Sequence, residues 1–135
     1  WNPFITQSEN NLEIGDINHI KICVSGSKPQ FYDVKIVENI PFKKLCWLGH
    51  FHIPGLIDGY HCFELDRYYD KTIVLHYEYF SGLLVPFVFY TFLNTKLKKS
   101  FLDLNEALKK KCENTGNLLN PQNTYLYNSC HNKLS

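Results

Sequence analysis

The hydrophobic pattern of this chain changes its period once, at Ser81 and Gly82, and this change limits the possible folds more than any other feature. Before Ser81, apolar residues recur mainly at every second position between turn residues, which predicts an antiparallel meander of strands. After Gly82, they recur at three- and four-residue steps, which predicts one long amphipathic helix. Strands followed by a single helix predict a two-layer α+β domain with a curved sheet.

Turn residues and one proline place the individual elements. Ser25-Gly26-Ser27 and Pro54-Gly55 end two of the strands. Pro86 suits the first turn of the helix, where its missing N–H costs nothing. The predicted strands are 4–9, 17–24, 30–39, 44–53, 59–68 and 72–80, and the predicted helix is 86–113.

The chain divides into a folded domain, residues 1–113, and a polar tail, residues 114–135. The tail holds six asparagines and no apolar periodicity, so we expect it to be flexible, with a weak aromatic anchor at Tyr125 and Tyr127. The chain contains no methionine and opens with Trp1, so we expect a fragment or a processed product.

Charge and hydropathy argue against two classes of partner. Fourteen basic and 13 acidic residues give a formal charge of +1, and Arg67 is the only arginine, so we expect no nucleic-acid partner. The apolar run 80–93 is shorter than the roughly 20 residues that span a bilayer, so we expect no stable membrane insertion. The sequence does not indicate a protein partner or an oligomeric state.

The cysteines form an odd set without a C-x-x-C pair. This pattern favours reduced thiols in a cytoplasmic protein over a disulfide framework. The five residues are Cys23, Cys46, Cys62, Cys112 and Cys130.

Five short segments, in this order and spacing, resemble the polyketide cyclase/dehydrase-like branch of the START-related SRPBCC superfamily. The resemblance covers about residues 1–113. The segments are Trp1-Asn2-Pro3-Phe4-Ile5, Trp47-Leu48-Gly49, residues 54–65, residues 76–86 and Asn105-Glu106-Ala107-Leu108-Lys109.

The resemblance implies a helix-grip fold, in which a seven-stranded antiparallel sheet wraps around a long C-terminal helix. It also implies a deep cavity for lipids, polyketides or other apolar small molecules. The family's opening strand and two short helices would precede Trp1, and they are absent from this sequence. Because that strand would lie beside the sixth strand, we expect an exposed sheet edge and an open cavity wall.

Two histidines and a carboxylate are the candidate acid–base groups. His76 and Glu78 share one face of the sixth strand, and His61 lies on the neighbouring fifth strand, so the three could converge. Glu78 could then orient a histidine, and His61 or His76 could act as a general acid or base. The alternative, which we prefer, is that these groups satisfy one another inside an apolar pocket without catalysis.

No metal and no cofactor are predicted. His50 and His52 lie two positions apart on one predicted strand face and could join His61 as nitrogen ligands, but no metal-binding spacing supports this. Serine hydrolase, P-loop and dinucleotide-binding motifs are absent from the sequence. Gly55 and Gly59 are explained as turn formers.

Aromatic residues are abundant on the elements that would bound a cavity, and small-molecule pockets have this composition. We therefore expect a domain that binds or carries a small hydrophobic molecule, lipid or polyketide-like, between sheet and helix without catalysis. The alternatives are a cyclase/dehydrase-type enzyme and a ligand-free interaction module or decayed fragment. The predicted ligand-binding residues are Trp47, Phe51, His61, Phe63, His76, Glu78, Phe89 and Leu93.

Overall fold

The computed structural model describes residues 1–8, 11–116 and 124–128, with the backbone alone for residues 7, 90, 93, 115, 116 and 124–128. Within this part of the chain, the strands form one sheet in which neighbours follow chain order. The strands are β1 (Ile5–Gln7), β2 (Ile17–Ile22), β3 (Gln30–Ile40), β4 (Lys44–His50), β5 (Asp58–Tyr68), β6 (Lys71–Ser81) and β7 (Thr124–Asn128).

The six predicted strands are confirmed as β1 to β6, which pair antiparallel and curl into a half-barrel. The largest difference lies at the end of the fourth strand. This strand stops at His50, because Phe51 donates its N–H to the Ile57 carbonyl and His52 has a positive φ of 63°. A loop therefore replaces the predicted residues 51–53 of the strand.

The predicted helix is present but is not uniform. It consists of α1 (Val85–Val88), a π-helical segment (Phe89–Leu97) and α2 (Lys98–Gly116). In a π-helix, residues five positions apart lie on the same side. This winding lets Phe92 and Leu97 both pack against the core. In the part of the chain that the structure describes, no helix is long and apolar enough to cross a membrane.

The core lies between the concave face of the sheet and the helix. Its central cluster contains Phe4 from the N-terminal segment and Phe101 from α2, whose rings meet edge to face at 5.3 Å. Burying a large apolar side chain contributes roughly 1.5–3 kcal/mol, so this cluster fixes the helix on the sheet. The other buried members are Val85, Leu97 and Leu104.

Cys46 and Cys62 form a disulfide, so the prediction of reduced thiols is wrong for these two residues. They lie directly opposite each other on β4 and β5, with Cα atoms 4.3 Å apart, and both are fully buried. Cysteine counts and short motifs do not reveal which residues face each other across a sheet.

The bridge also removes the basis for expecting a reducing compartment, since structural disulfides are rare in the cytosol. Cys23 is half-buried and Cys112 is exposed, and both carry free thiols. Cys130 lies outside the described residues.

The edge of β6 that was expected to be exposed is partly covered. β7, from the predicted polar tail, pairs in parallel with residues 72–76 of β6. The remaining tail residues, 117–123 and 129–135, lie outside the described residues. The tail therefore contributes a strand at the position where the resemblance implied an open edge.

Candidate ligand-binding site

Two cavities lie between the sheet and the helix, toward opposite ends of the strands. The Glu78 cavity, of about 370 Å³, faces α1 and the π-helical segment, and its walls include Ile22, Phe51, Ile57, Phe80, Val88 and Phe92. The Asn18 cavity, of about 560 Å³, faces α2, and its walls include Ile36, Leu45, Phe63, Val74, Leu104 and Leu108. Both are mainly apolar.

A cluster of stacked rings forms the wall between the two cavities. Trp47 lines both of them and stacks on His61 at 4.3 Å between ring centroids. His61 lines the Glu78 cavity and Phe63 lines the Asn18 cavity, so these two rings face opposite sides of the wall. Next to these rings, His76 stacks on Phe63, with 4.3 Å between ring centroids, and its ring centroid lies 4.6 Å from that of Phe101.

The structure brings His61, His76 and Glu78 together. Strand register places His61 opposite Glu78, and His76 lies two positions before Glu78 on the same face of β6. His61 Nδ1 is 3.5 Å from Glu78 Oε2, and His61 Nε2 is 2.9 Å from His76 Nε2. His76 Nδ1 lies 2.7 Å from Oδ1 of Asn105 on α2. These contacts make a row of polar groups that leads from the cavity into the core.

The end of this row fixes its hydrogen-bond direction. Because Asn105 Oδ1 can only accept, His76 donates from Nδ1 and its Nε2 is left as an acceptor. His61 therefore donates from Nε2 to His76, and its Nδ1 presents a lone pair toward Glu78. This arrangement suits two neutral imidazoles beside a protonated carboxyl.

Burial keeps all three groups neutral near pH 7. It raises the pKa of Glu78 to about 8 and lowers the pKa of His61 to about 3, because each charged form would lose its hydration. Burial also lowers the pKa of His76 to about 3, reinforced by His61 and opposed by the hydrogen bond to Asn105. The His61–Glu78 contact is therefore not an ion pair at neutral pH.

Gly59 makes room for the Glu78 carboxyl. A Cβ atom at Gly59 would lie 2.4 Å from Glu78 Oε1, closer than any real contact. Gly59 belongs to β5 and not to a turn, whereas Gly55 does occupy the preceding loop with a φ of 87°. Because Gly59 lies within a strand, its interpretation as a turn former is wrong. Its missing side chain instead makes room for Glu78, which lies on the next strand, 19 positions later in the sequence.

The other predicted ligand-binding residues are distributed unevenly. Trp47, Phe51, His61 and Glu78 line the Glu78 cavity, and Phe63 lines the Asn18 cavity. His76 lies behind His61, and Phe89 packs against the core cluster. The side chain of Leu93 lies outside the described residues.

Sequence reasoning missed the walls contributed by β2 and β3 and the role of Asn105. The two-residue alternation of Ile20, Ile22, Tyr32 and Val34 could have identified the walls, because it marks one face of each strand. Asn105 had no such signal, since its partner His76 is 29 positions away in the chain.

His50 and His52 do not share a strand face, so that prediction is wrong. His50 ends β4 and pairs with Asp58, with 2.7 Å between Nδ1 and Oδ1, whereas His52 lies in the following loop. Asp58 also accepts the Gly55 N–H, and these hydrogen bonds lower its pKa despite partial burial. Among residues 1–8, 11–116 and 124–128, no three His, Cys, Asp or Glu side chains group closely enough to hold a metal.

Comparisons with protein-family models, with curated proteins and with solved structures find no match to this chain. The superfamily resemblance therefore stays a prediction. Function has to be inferred from the cavities and from the polar groups that face them.

Proposed function

We propose that this chain binds a small, neutral and mainly apolar molecule in the Glu78 cavity. The observation that carries the proposal is one carboxyl group with a 14% exposed side chain at the wall of a mainly apolar cavity. Ligand pockets are typically roughly 300–1,000 Å³, with apolar walls and a few polar groups that orient the ligand. The cavity, at about 370 Å³, has this size and composition.

The protonation state of Glu78 favours a neutral ligand. A carboxyl whose pKa is raised to about 8 is mostly protonated at pH 7, and because His61 Nδ1 lies 3.5 Å away, beyond good hydrogen-bond distance, its one O–H can turn to a carbonyl or hydroxyl oxygen of the ligand. A charged ligand would lose its hydration in the same apolar walls, which is costly without a full set of partners. Binding would then draw mainly on apolar burial, at about 25 cal/mol per Å² before association costs.

We also propose that the domain has a helix-grip arrangement of the SRPBCC type. The curled antiparallel sheet of β1 to β6, with a C-terminal helix packed on its concave face, supports this proposal. The two cavities between sheet and helix are in keeping with a carrier of apolar molecules. The parallel strand β7 is a departure from the seven-stranded antiparallel sheet that the resemblance implies.

Native mass spectrometry of the purified chain, repeated after denaturation, tests the binding proposal. We expect an added mass that disappears on denaturation. Val88→Trp, which fills the Glu78 cavity from the helix, should abolish it. Phe87→Trp is the matched control, because Phe87 is its neighbour on α1 and is 76% exposed.

Two results would contradict binding in this cavity. One is an added mass that persists in a folded Val88→Trp variant. The other is a folded wild-type chain that carries no ligand and takes up none from a lipid extract, which would favour the ligand-free interaction module.

The row from Glu78 to Asn105 favours a second function, proton transfer to or from the bound molecule. Glu78, protonated at pH 7, would donate its proton to the substrate and take it back when the product leaves, while the neutral His61, whose Nδ1 lies 3.5 Å away, would orient the carboxyl. In an enzyme, Glu78→Gln and His76→Gln should lower turnover by about 10²-fold or more while affinity persists. In a carrier, the co-purified molecule should be chemically unchanged after incubation with wild type, and binding should survive His76→Gln.

A further inference from the structure

The Asn18 cavity is separate from the Glu78 cavity in both position and walls. Among the described residues that line them, the two share only Ile5, Ile20, Val34 and Trp47. Its volume of about 560 Å³ lies within the range of ligand pockets. A molecule bound there would contact α2 and the opposite ends of β4, β5 and β6, and would not meet Glu78.

Asn18 is a buried polar residue in the wall of this cavity. It lies on β2 opposite Val34, is only 3% exposed, and belongs to the cavity wall. Its Nδ2 donates to the Asn11 carbonyl at 2.5 Å. Its Oδ1 is buried and has no hydrogen-bond partner in the described part of the chain.

The amide cannot relieve this by turning over. The Asn11 carbonyl can only accept a hydrogen bond, so the Nδ2 side must face it and the oxygen must stay on the other side. A buried acceptor without a partner costs about 1–3 kcal/mol. The oxygen is shielded by the packing around it, so a donor that enters the cavity meets it only when neighbouring side chains shift, and pairing with it would offset part of this cost.

We propose that the Asn18 cavity is a second binding site, for an apolar molecule that carries a hydroxyl or amide hydrogen. The apolar walls supply burial, and Asn18 Oδ1 accepts the hydrogen bond and selects for a donor. Lys43, which is exposed, also lines this cavity, so a cationic ligand would meet its positive charge there, whereas the charge of Lys44 is paired with Glu38 and Glu64.

The test compares n-octanol with methyl heptyl ether, an isomer that has no hydrogen to donate. Both are titrated into the chain while the methyl signals of Val74 and Leu108, which line this cavity, are followed by NMR. We expect octanol to shift these signals and to bind about tenfold more tightly than the ether. A tenfold ratio corresponds to about 1.4 kcal/mol, which lies in the range expected for satisfying a buried acceptor.

Variants on the helix separate this site from the Glu78 cavity. Leu108→Trp should abolish the octanol-specific response, whereas Val88→Trp, which fills the other cavity, should leave it intact. Asn18→Leu should bring the octanol-to-ether ratio close to one. If Asn18→Leu does not fold, the Leu108→Trp and Val88→Trp pair still shows in which of the two cavities octanol binds.

Equal affinities for octanol and ether would overturn the proposal, as would an unchanged ratio in a folded Asn18→Leu variant. The absence of any shift at Val74 and Leu108 would also overturn it. None of these results bears on the Glu78 cavity, whose own test uses a co-purified mass and Val88→Trp.

Discussion

Glu78 shows how much one residue depends on its surroundings. Its sequence neighbours mark only a strand, whereas its chemistry depends on Gly59 for space and on His61, whose Nδ1 lies 3.5 Å from its carboxyl. Burial holds its carboxyl protonated at neutral pH, with a pKa of about 8. A charge-neutral polar row at the wall of an apolar cavity is the result.

At this scale we predict that stability falls as the pH rises from 6.5 to 8. Glu78 stays protonated in the folded state up to about pH 8, whereas in the unfolded chain it loses its proton near pH 4.5. Raising the pH between these two values therefore favours the unfolded state, and the free energy of unfolding falls. The slope approaches about 1.4 kcal/mol per pH unit. Urea unfolding of wild type and Glu78→Gln across this range measures it, and Glu78→Gln should remove the fall.

The buried histidines have the opposite effect on stability, which they lower as the pH falls. His61 and His76 have pKa values near 3 in the folded state and 6.5 when unfolded, so stability declines as the pH falls below 6.5. The three groups together place maximum stability near pH 6.5. A Glu78→Gln variant that still loses stability between pH 6.5 and 8 would show that another group causes the fall.

Among the elements, β4 and β5 are joined covalently as well as by hydrogen bonds, because they share a ladder and the disulfide between Cys46 and Cys62. These strands carry Trp47, His61 and Phe63, which form the wall between the two cavities. Fixing the two strands therefore also fixes this wall.

We predict that opening this disulfide destabilises the chain by about 3 kcal/mol, since it closes a loop of 16 residues. The measurement is chemical unfolding with and without a thiol reductant. The double variant Cys46→Ala with Cys62→Ala is the control and should be indifferent to the reductant. Peptide mapping that finds both thiols free in the folded, air-oxidised chain would contradict the bridge.

For the molecule as a whole, the sheet depends on a segment remote from it in sequence. β7 follows the helix in the chain, yet it pairs with β6, which precedes the helix. Unpaired edge strands tend to associate with other chains, so β7 protects residues 72–76 of β6.

We predict that truncation after Gly116 leaves a folded chain that self-associates through β6. Sedimentation velocity over a concentration series should show dimers or larger species. Truncation after Asn128 keeps β7 and is the matched control, which should behave like the full chain. Equal behaviour of the two truncations would mean that β7 does not protect this edge.

The sequence by itself determined the order of six strands and a helix, because side-chain periods of two and of about 3.6 are local properties of the backbone. It also placed His76 and Glu78 on one face of the sixth strand, since alternation along a strand follows from the same geometry, whereas the register of β5 against β6 put His61 on that face. Leu97 and Phe101 were likewise predictable as core positions of the helix.

Only the tertiary structure decided which residues meet across strands and layers. The Cys46–Cys62 bridge, the fit of Gly59 against Glu78, the hydrogen bond from His76 to Asn105 and the unpartnered oxygen of Asn18 all depend on register or on helix docking. Such contacts join residues far apart in the chain, and no local pattern encodes their distance. Burial follows from the same packing, and it makes Glu78 a neutral group at the wall of a cavity.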